Sequence, residues 1–392
     1  MATPKLRFKE FNGDWNTVNL KNCIESIDSG WSPQCESYPA NSSQWGVLKT
    51  TSVDWSGFQE NANKKLPDHL EPRPEIEVKP YDILVTRAGP TERVGVVSVV
   101  PNNVRKKLLI SDKLIRIKSN KDNDPNFLGI SLSSSKCQNQ LQSKTSGLAK
   151  SQTNISQKIL LDVTLQTPSK PEQTKIATFL SAVDEKISQL SQKLHLLGQY
   201  KQGMMQKLFS QQIRFKADDS SEFGEWQESL LGQNCQITTG KLDANAMKVD
   251  GEYRFYTCAK DYYFIDNFAF DTEALLISGN GAHVGYIHYY KGKFNAYQRT
   301  YVLDGWKHNI QYVKYFLEKY LKMRIYGEKK EGNTPYIVLS TLSEMPFQIP
   351  CLEEQTKIAN FLSSIDQKID VVSEQLEQAK LWKKGLLQQM FV

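Results

Sequence analysis

Few residues in this sequence have the types and spacing to carry out a reaction. Gly279-Asn-Gly281-Ala-His-Val-Gly285 is glycine-rich. Its spacing fits neither the dinucleotide fingerprint nor a phosphate loop, which needs a following Lys-Ser/Thr, so it reads as a hairpin turn. His283 and His288 lack the spacing and the acidic partner of a zinc-protease helix. No Gly-x-Ser-x-Gly nucleophile elbow occurs, and Cys23, Cys35, Cys137, Cys235, Cys258 and Cys351 form no Cys-x-x-Cys pair. The expectation is a chain with no catalytic residue, no metal and no cofactor of its own.

Asp124-Pro-Asn-Phe127 approaches the Asp/Asn-Pro-Pro-Tyr/Phe motif of amino-methyltransferases. It lacks the second proline, and no Gly-rich cofactor strand precedes it, so it reads as a turn before a helix. Polar and basic groups that could meet phosphates or base edges are more plentiful. The first half offers Thr86, Arg87, Arg93, the trio Arg105, Lys106 and Lys107, and the loop from Lys144 to Lys150. The second half offers Asn280, His283, Lys291, Lys293, Gln298, Arg299, Lys329 and Lys330. Arg and Gln make bidentate base contacts, whereas Lys clusters mostly set register on phosphates. Gln311–Arg324 differs: Val313, Phe316, Leu317, Tyr320 and Leu321 form one apolar face, as in a core helix with a basic outer side.

The elements that must position these groups are visible as a duplication. Displaced by 182 residues, the segment Glu172–Ile187 falls on Glu354–Ile369 with twelve of sixteen positions identical and no gap. The register continues to Gly203/Gly385, Gln206/Gln388 and Phe209/Phe391. In the first copy Ile176, Leu180, Val183, Ile187, Leu190, Leu194, Leu197, Lys201, Met204 and Leu208 follow strict 4-3 spacing. In the second copy Ile358, Leu362, Ile365, Ile369, Val372, Leu376, Ala379, Lys383, Leu386 and Met390 do the same. The single polar position, Lys201 or Lys383, recurs in both. Such a period sustained over four heptads is a coiled-coil seam, and the two matched seams are expected to pack together.

Weaker echoes precede each helix. Leu6-Arg-Phe-Lys9 resembles Ile213-Arg-Phe-Lys216, and Gly13-Asp-Trp15 resembles Gly224-Glu-Trp226. Ile83–Gly89 with Val94-Gly95 resembles Leu275–Gly281 with Val284-Gly285, in the manner of strands joined by Gly-rich turns. Between these landmarks the halves diverge. The expected organisation is an α+β chain with a mixed α/β domain over 1–167, a spacer helix over 168–212, a second mixed α/β domain over 213–350 and a second spacer helix over 351–392.

A chain of 392 residues fits two or three domains. Its mean hydropathy of −0.50 and lack of a long apolar run argue against a membrane span. With no apolar segment near Met1 and no dense cysteine framework, a cytoplasmic chain with reduced thiols is expected. Net charge is +6, carried as +5 over 1–165 and +3 over 166–212, with −1 over each of the remaining segments. An isoelectric point near 8.7 permits a nucleic-acid partner without demanding one.

The order of these parts resembles the specificity subunit of type I DNA restriction-modification systems. The resemblance rests on the paired Glu-Gln-Thr-Lys-Ile-Ala-x-Phe-Leu motifs after a proline and on the Leu-Arg-Phe-Lys…Gly-Asp-Trp start. Ile83-Leu-Val-Thr…Gly89 and the closing Lys384–Val392 segment add to it. It implies two target recognition domains, each reading one half of an asymmetric bipartite DNA site. The two helices would pair as an antiparallel coiled coil in a circularly permuted, pseudo-twofold repeat. It also implies docking to two modification subunits, which carry S-adenosylmethionine and methylate adenine, and to restriction subunits that use ATP and Mg. Thirty-eight residues from Glu172 to Phe209 make a rod of roughly 57 Å, and half-sites on one DNA face lie about 34 Å apart or a multiple of it. The competing reading is a coiled-coil adaptor with two β-rich protein-binding domains. An adaptor, however, gives no reason for two insertion points that accept unrelated content.

Overall fold

The computed structural model describes residues 4–145, 153–327 and 336–391. Of the groups singled out above, Lys150, Lys329 and Lys330 lie outside the described residues. By spatial contact the chain divides into two compact units, Met1–Gln189 with Leu376–Val392, and Leu190–Gln375. Both divisions fall inside the long helices Lys170–Phe209 and Leu352–Met390, so each unit owns a part of each helix.

In the first unit a four-stranded antiparallel sheet has the order Ile24–Ser29, Leu114–Ser119, Ile83–Thr86, Val97–Val99. Alternation along these strands buries both faces. Ile83, Val85, Ile115 and Ile117 face a core completed by the helix Pro125–Ser133 and the long helices. Leu84 and Leu114 face a second core around the small sheet Leu108–Leu109, Gly46–Leu48, Asn63–Lys65. A separate pair, Asn16–Asn19 against Thr164–Thr167, leads directly into the first long helix.

The second unit repeats this frame around a different insert. Gln227–Leu230 pairs with Pro346–Ile349 just before the second long helix. Its main sheet has six strands, in the order Gln236–Thr239, Thr300–Asp304, Phe270–Ser278, Ile287–Ala296, Tyr253–Tyr256, Tyr263–Ile265. Only the pairing of Tyr253–Tyr256 with Ile287–Ala296 is parallel. Leu275, Ile277 and Leu303 pack on the helix Ile310–Gly327. Ala274, Leu276 and Val302 point the other way, beneath Tyr256 and Phe294.

The apolar 4-3 series forms uninterrupted helices of 40 and 39 residues. In the first unit Ile176, Ala177, Leu180 and Val183, from the start of one helix, share a core with Leu386 and Met390 from the end of the other. In the second unit Met205, Leu208 and Phe209 share a core with Ile358, Ala359, Leu362 and Ile365. Start meets end in both, so the pairing is antiparallel in each unit. Leu190, Val372 and Leu376 are buried, while Ile187, Leu194, Leu197 and Ile369 are half-buried.

Candidate nucleic-acid interface

The repeated Glu-Gln-Thr-Lys motif anchors each insert to its helix. Glu172 is almost fully buried and receives two bonds of 2.7 Å from the Arg7 guanidinium and one of 3.3 Å from the Trp15 indole. Glu354 receives bonds of 3.0 and 2.7 Å from Arg214 and one of 3.0 Å from Trp226. The Leu-Arg-Phe-Lys and Gly-x-Trp echoes are therefore halves of one clamp. A planar guanidinium matched to a carboxylate fixes orientation as well as contact, and the bond to the glutamate raises the pKa of each arginine.

The next residue ties in a helix of each insert. The Gln173 side chain accepts from the Asp124 backbone N–H and donates to the Pro168 carbonyl. Gln355 does the same with Asn309 and Pro350. Asp124 and Asn309 are in turn the N-caps of Pro125–Ser133 and Ile310–Gly327, accepting from backbone N–H groups of their first turns. Asp124-Pro-Asn-Phe127 is thus a capped helix start. His308 completes the second anchor, with Nε2 2.9 Å from Asn234 and Nδ1 3.2 Å from Gln355, and burial pushes its pKa down.

The glycine spacing noted in both halves belongs to matched hairpin turns. Gly95, Gly281 and Gly285 hold φ near +80°, a conformation that glycine adopts without steric cost. The residues flanking each turn bond alike, Gly95 to the Thr86 carbonyl and Gly285 to the Ser278 carbonyl. Neither turn is a nucleotide cradle. Two of the thiols are quiet as well: burial pushes Cys23 up to about 11 and Cys235 up to about 12, which keeps both protonated.

Several groups expected at DNA are instead used inside the first unit. Thr86 is fully buried, with its hydroxyl donating to the Arg93 carbonyl and accepting from Val96 N–H at 2.9 Å, so it is withdrawn as a contact. Arg93 clamps the turn between Val53–Asp54 and Gly57–Phe58, reaching Asp54 at 2.8 Å and the Val53 carbonyl at 2.7 Å. Arg105 donates to the carbonyls of Gln44 and Ala40, and Lys107 to that of Ser43. Their sequence context looked free because their acceptors lie some 40 to 65 residues away in the chain. Arg87, Lys106 and Lys144 are exposed.

In the second unit the structure brings part of the set together. The Gly279 N–H bonds to the Arg299 carbonyl, which puts half-buried Asn280 and His283 on a turn beside exposed Gln298 and Arg299. Lys291 and Lys293 sit elsewhere, opposite Glu273 and Asp271 in the ladder between Phe270–Ser278 and Ile287–Ala296. Lys291 faces Glu273 at 3.6 Å and Lys293 lies over Phe268 at 4.7 Å. Not anticipated from sequence is an aromatic group around Arg254, formed by Tyr256, Tyr262 and Tyr290. Its signal was the aromatic richness of Tyr253-Arg-Phe-Tyr256 and Tyr262-Tyr-Phe264. Among the described residues no cluster of His, Cys, Asp and Glu could hold a metal ion, and no helix is long and apolar enough to cross a membrane.

Comparison with known proteins agrees with this doubled geometry. The family described as type I restriction modification DNA specificity domain matches twice, over residues 13–197 and 224–381. The type I restriction enzyme EcoEI specificity subunit of Escherichia coli is 38% identical over 182 residues, 46% of this chain. That match spans only 30% of the E. coli protein's length. A putative type I restriction enzyme MjaX specificity subunit of Methanocaldococcus jannaschii is 24% identical over 98% of this chain and 94% of its own. The crystal structure of a type I restriction-modification S subunit from M. genitalium has the same fold. It has a TM-score of 0.70 and 18% identity, covering 100% of this chain and 99% of that one.

Proposed function

The chain belongs to the type I restriction-modification DNA specificity family, and we propose that it selects the DNA sequence on which such a system acts. In this reading each insert reads one half of an asymmetric bipartite site in double-stranded DNA. The antiparallel helices hold the readers at a fixed spacing and dock two modification subunits, with restriction subunits joining them. The chain itself is non-catalytic, and S-adenosylmethionine, ATP and Mg belong to the partner subunits.

One observation carries the reading. The clamp of Arg7 and Trp15 on Glu172 is repeated by Arg214 and Trp226 on Glu354, while the inserts held by these clamps carry a four-stranded and a six-stranded sheet. A duplicated mount with unlike contents suits a device that must place two different readers in equivalent positions. A helix of 40 residues, about 60 Å long, is of the scale needed to separate half-sites one or two DNA turns apart. The modest charge surplus fits an assembly in which partner subunits supply much of the phosphate contact.

The test is the adenine-methylation map of cells that make the modification subunits with and without this chain. The expected result is a new methylated motif of two unlike halves separated by an unread gap. A contiguous or palindromic motif, or methylation independent of this chain, would refute the proposal.

A further inference from the structure

One face of the six-stranded sheet packs on the helix Ile310–Gly327, and the opposite face carries Tyr256, Phe294, Tyr290 and Phe270 over a floor of Ala274, Leu276 and Val302. Arg254 lies on that opposite face. Its guanidinium carbon is 4.3 Å from the Tyr262 ring centre and 4.5 Å from that of Tyr290, and Nη1 donates to the Tyr256 hydroxyl at 3.4 Å. Among the described residues no carboxylate is within ion-pair distance of it, and the groups acting on it electrostatically are three tyrosines. Every other arginine placed at a clamp in this chain, Arg7, Arg93 and Arg214, has a carboxylate partner.

The surround is aromatic and open to solvent. Tyr262 and Phe264 on this face are each about two-fifths exposed, with ring centres 5.5 Å apart. A guanidinium fixed in plane between rings has already lost its rotamer freedom, so little is left to lose when a planar acceptor pair arrives. Exposed rings beside it offer stacking surface to bases and sugars.

We propose that this sheet face contacts the target DNA, with Arg254 presenting its remaining N–H groups to a paired acceptor, either the O6/N7 edge of a guanine or two phosphate oxygens. The inference rests on the DNA-recognition reading above and names the face and the residue that serve the second domain.

The test uses the full chain assembled with its modification subunits. Methylation is mapped in cells, and binding of the purified complex to a 40-base-pair duplex carrying the mapped motif is measured across salt concentrations. If Arg254 reads guanine, Arg254→Lys keeps the charge but loses the fork. Discrimination at one position of one half-site then falls roughly tenfold to a hundredfold, with the other half intact. If Arg254 holds phosphate, Arg254→Gln leaves the motif unchanged, weakens binding to all duplexes alike and makes the log–log salt dependence shallower by about one. Tyr262→Leu removes one wall of the clamp at an exposed site and shifts the same readout in the same direction, and it decides the matter should the Arg254 variants misfold. Unchanged motif, affinity and salt slope in the folded variants would overturn the proposal, as would loss of subunit assembly with DNA reading intact. A wild-type chain that directs no motif would instead defeat the broader reading, so the two failures are distinguishable.

Discussion

Lys201 reaches Asp366 at 2.7 Å, and Lys383 reaches Asp184 at 2.5 Å. Displacement by 182 residues carries Asp184 onto Asp366 and Lys201 onto Lys383, so the two ion pairs are the same pair drawn twice. Only an antiparallel helix pairing lets one bond recur in this reciprocal way. The seam's sole polar position thus specifies register, a role for which a polar residue in an apolar seam is well attested.

The two copies should differ in strength. Lys201 and Asp366 are mostly buried and also engage Glu318 and Tyr315, whereas Lys383 and Asp184 are more exposed. Lys201→Ala should lower stability by about 1–2 kcal/mol and Lys383→Ala by under about 1 kcal/mol, measured by urea unfolding. Lys201→Asp should cost more than Lys201→Ala, and adding Asp366→Lys should recover part of the loss. A double-mutant cycle with zero coupling would remove this pair from the account.

Arg214→Ala leaves the Glu354 carboxylate buried with, among the described residues, only the Trp226 indole donating to it. The expected cost is about 2–4 kcal/mol, less than for a fully enclosed pair because the arginine is partly exposed. Arg214→Lys should recover only part of it, since an ammonium cannot make the two-pronged contact. Thermal unfolding followed by near-ultraviolet circular dichroism would report the loss at Trp226.

How much of this was legible in the sequence depended on how local each signal was. The long helices were plain, because their apolar period and the twelve shared positions need nothing beyond neighbouring residues. The role of Lys201 was hidden until the antiparallel offset brought Asp366 to it. The Arg-Phe-Lys and Gly-x-Trp echoes were visible as repeats, but their purpose was not. The glutamate that unites them lies 128 to 165 residues away. Thr86 counted as a polar candidate by residue type alone, and the turn that follows it folds back and buries it. The setting of Arg254 was hidden because Tyr290 reaches it only through the sheet's one parallel pairing, from a distant part of the chain, while Tyr262 arrives by the neighbouring antiparallel strand.

Arg93 and Arg87 should separate structure from reading. Arg93→Ala releases Asp54 and the Val53 carbonyl, so it should destabilise the first unit by about 1–2 kcal/mol while any folded fraction keeps its specificity. Arg87→Ala at an exposed site should leave the unfolding midpoint unchanged and weaken one half-site only. Arg299→Ala should do the same to the other half. Equal weakening at both halves by either variant would contradict the assignment, as read from competition binding with half-site-substituted duplexes.

Acid should weaken the second unit through His288 and His308. Burial lowers both pKa values in the folded chain, while the unfolded chain takes up protons near the ordinary 6.5. The unfolded state therefore binds more protons just below that value, and stability falls as pH drops from about 6.5 toward the lowered folded values. Urea midpoints measured between pH 7.5 and 5.5 should decline, and His308→Gln should flatten the slope. A pH-independent midpoint would show that neither ring is held neutral.

The proposed function requires one duplicated frame to carry two independent readers. Its most direct test replaces residues 227–349, the insert between the second Trp clamp and the second long helix, with the corresponding insert of a relative, and then maps methylated DNA in cells that supply the modification subunits. One half of the motif is expected to change while the other half and the length of the unread gap stay the same. A change in both halves, or none in either, would contradict the proposed function.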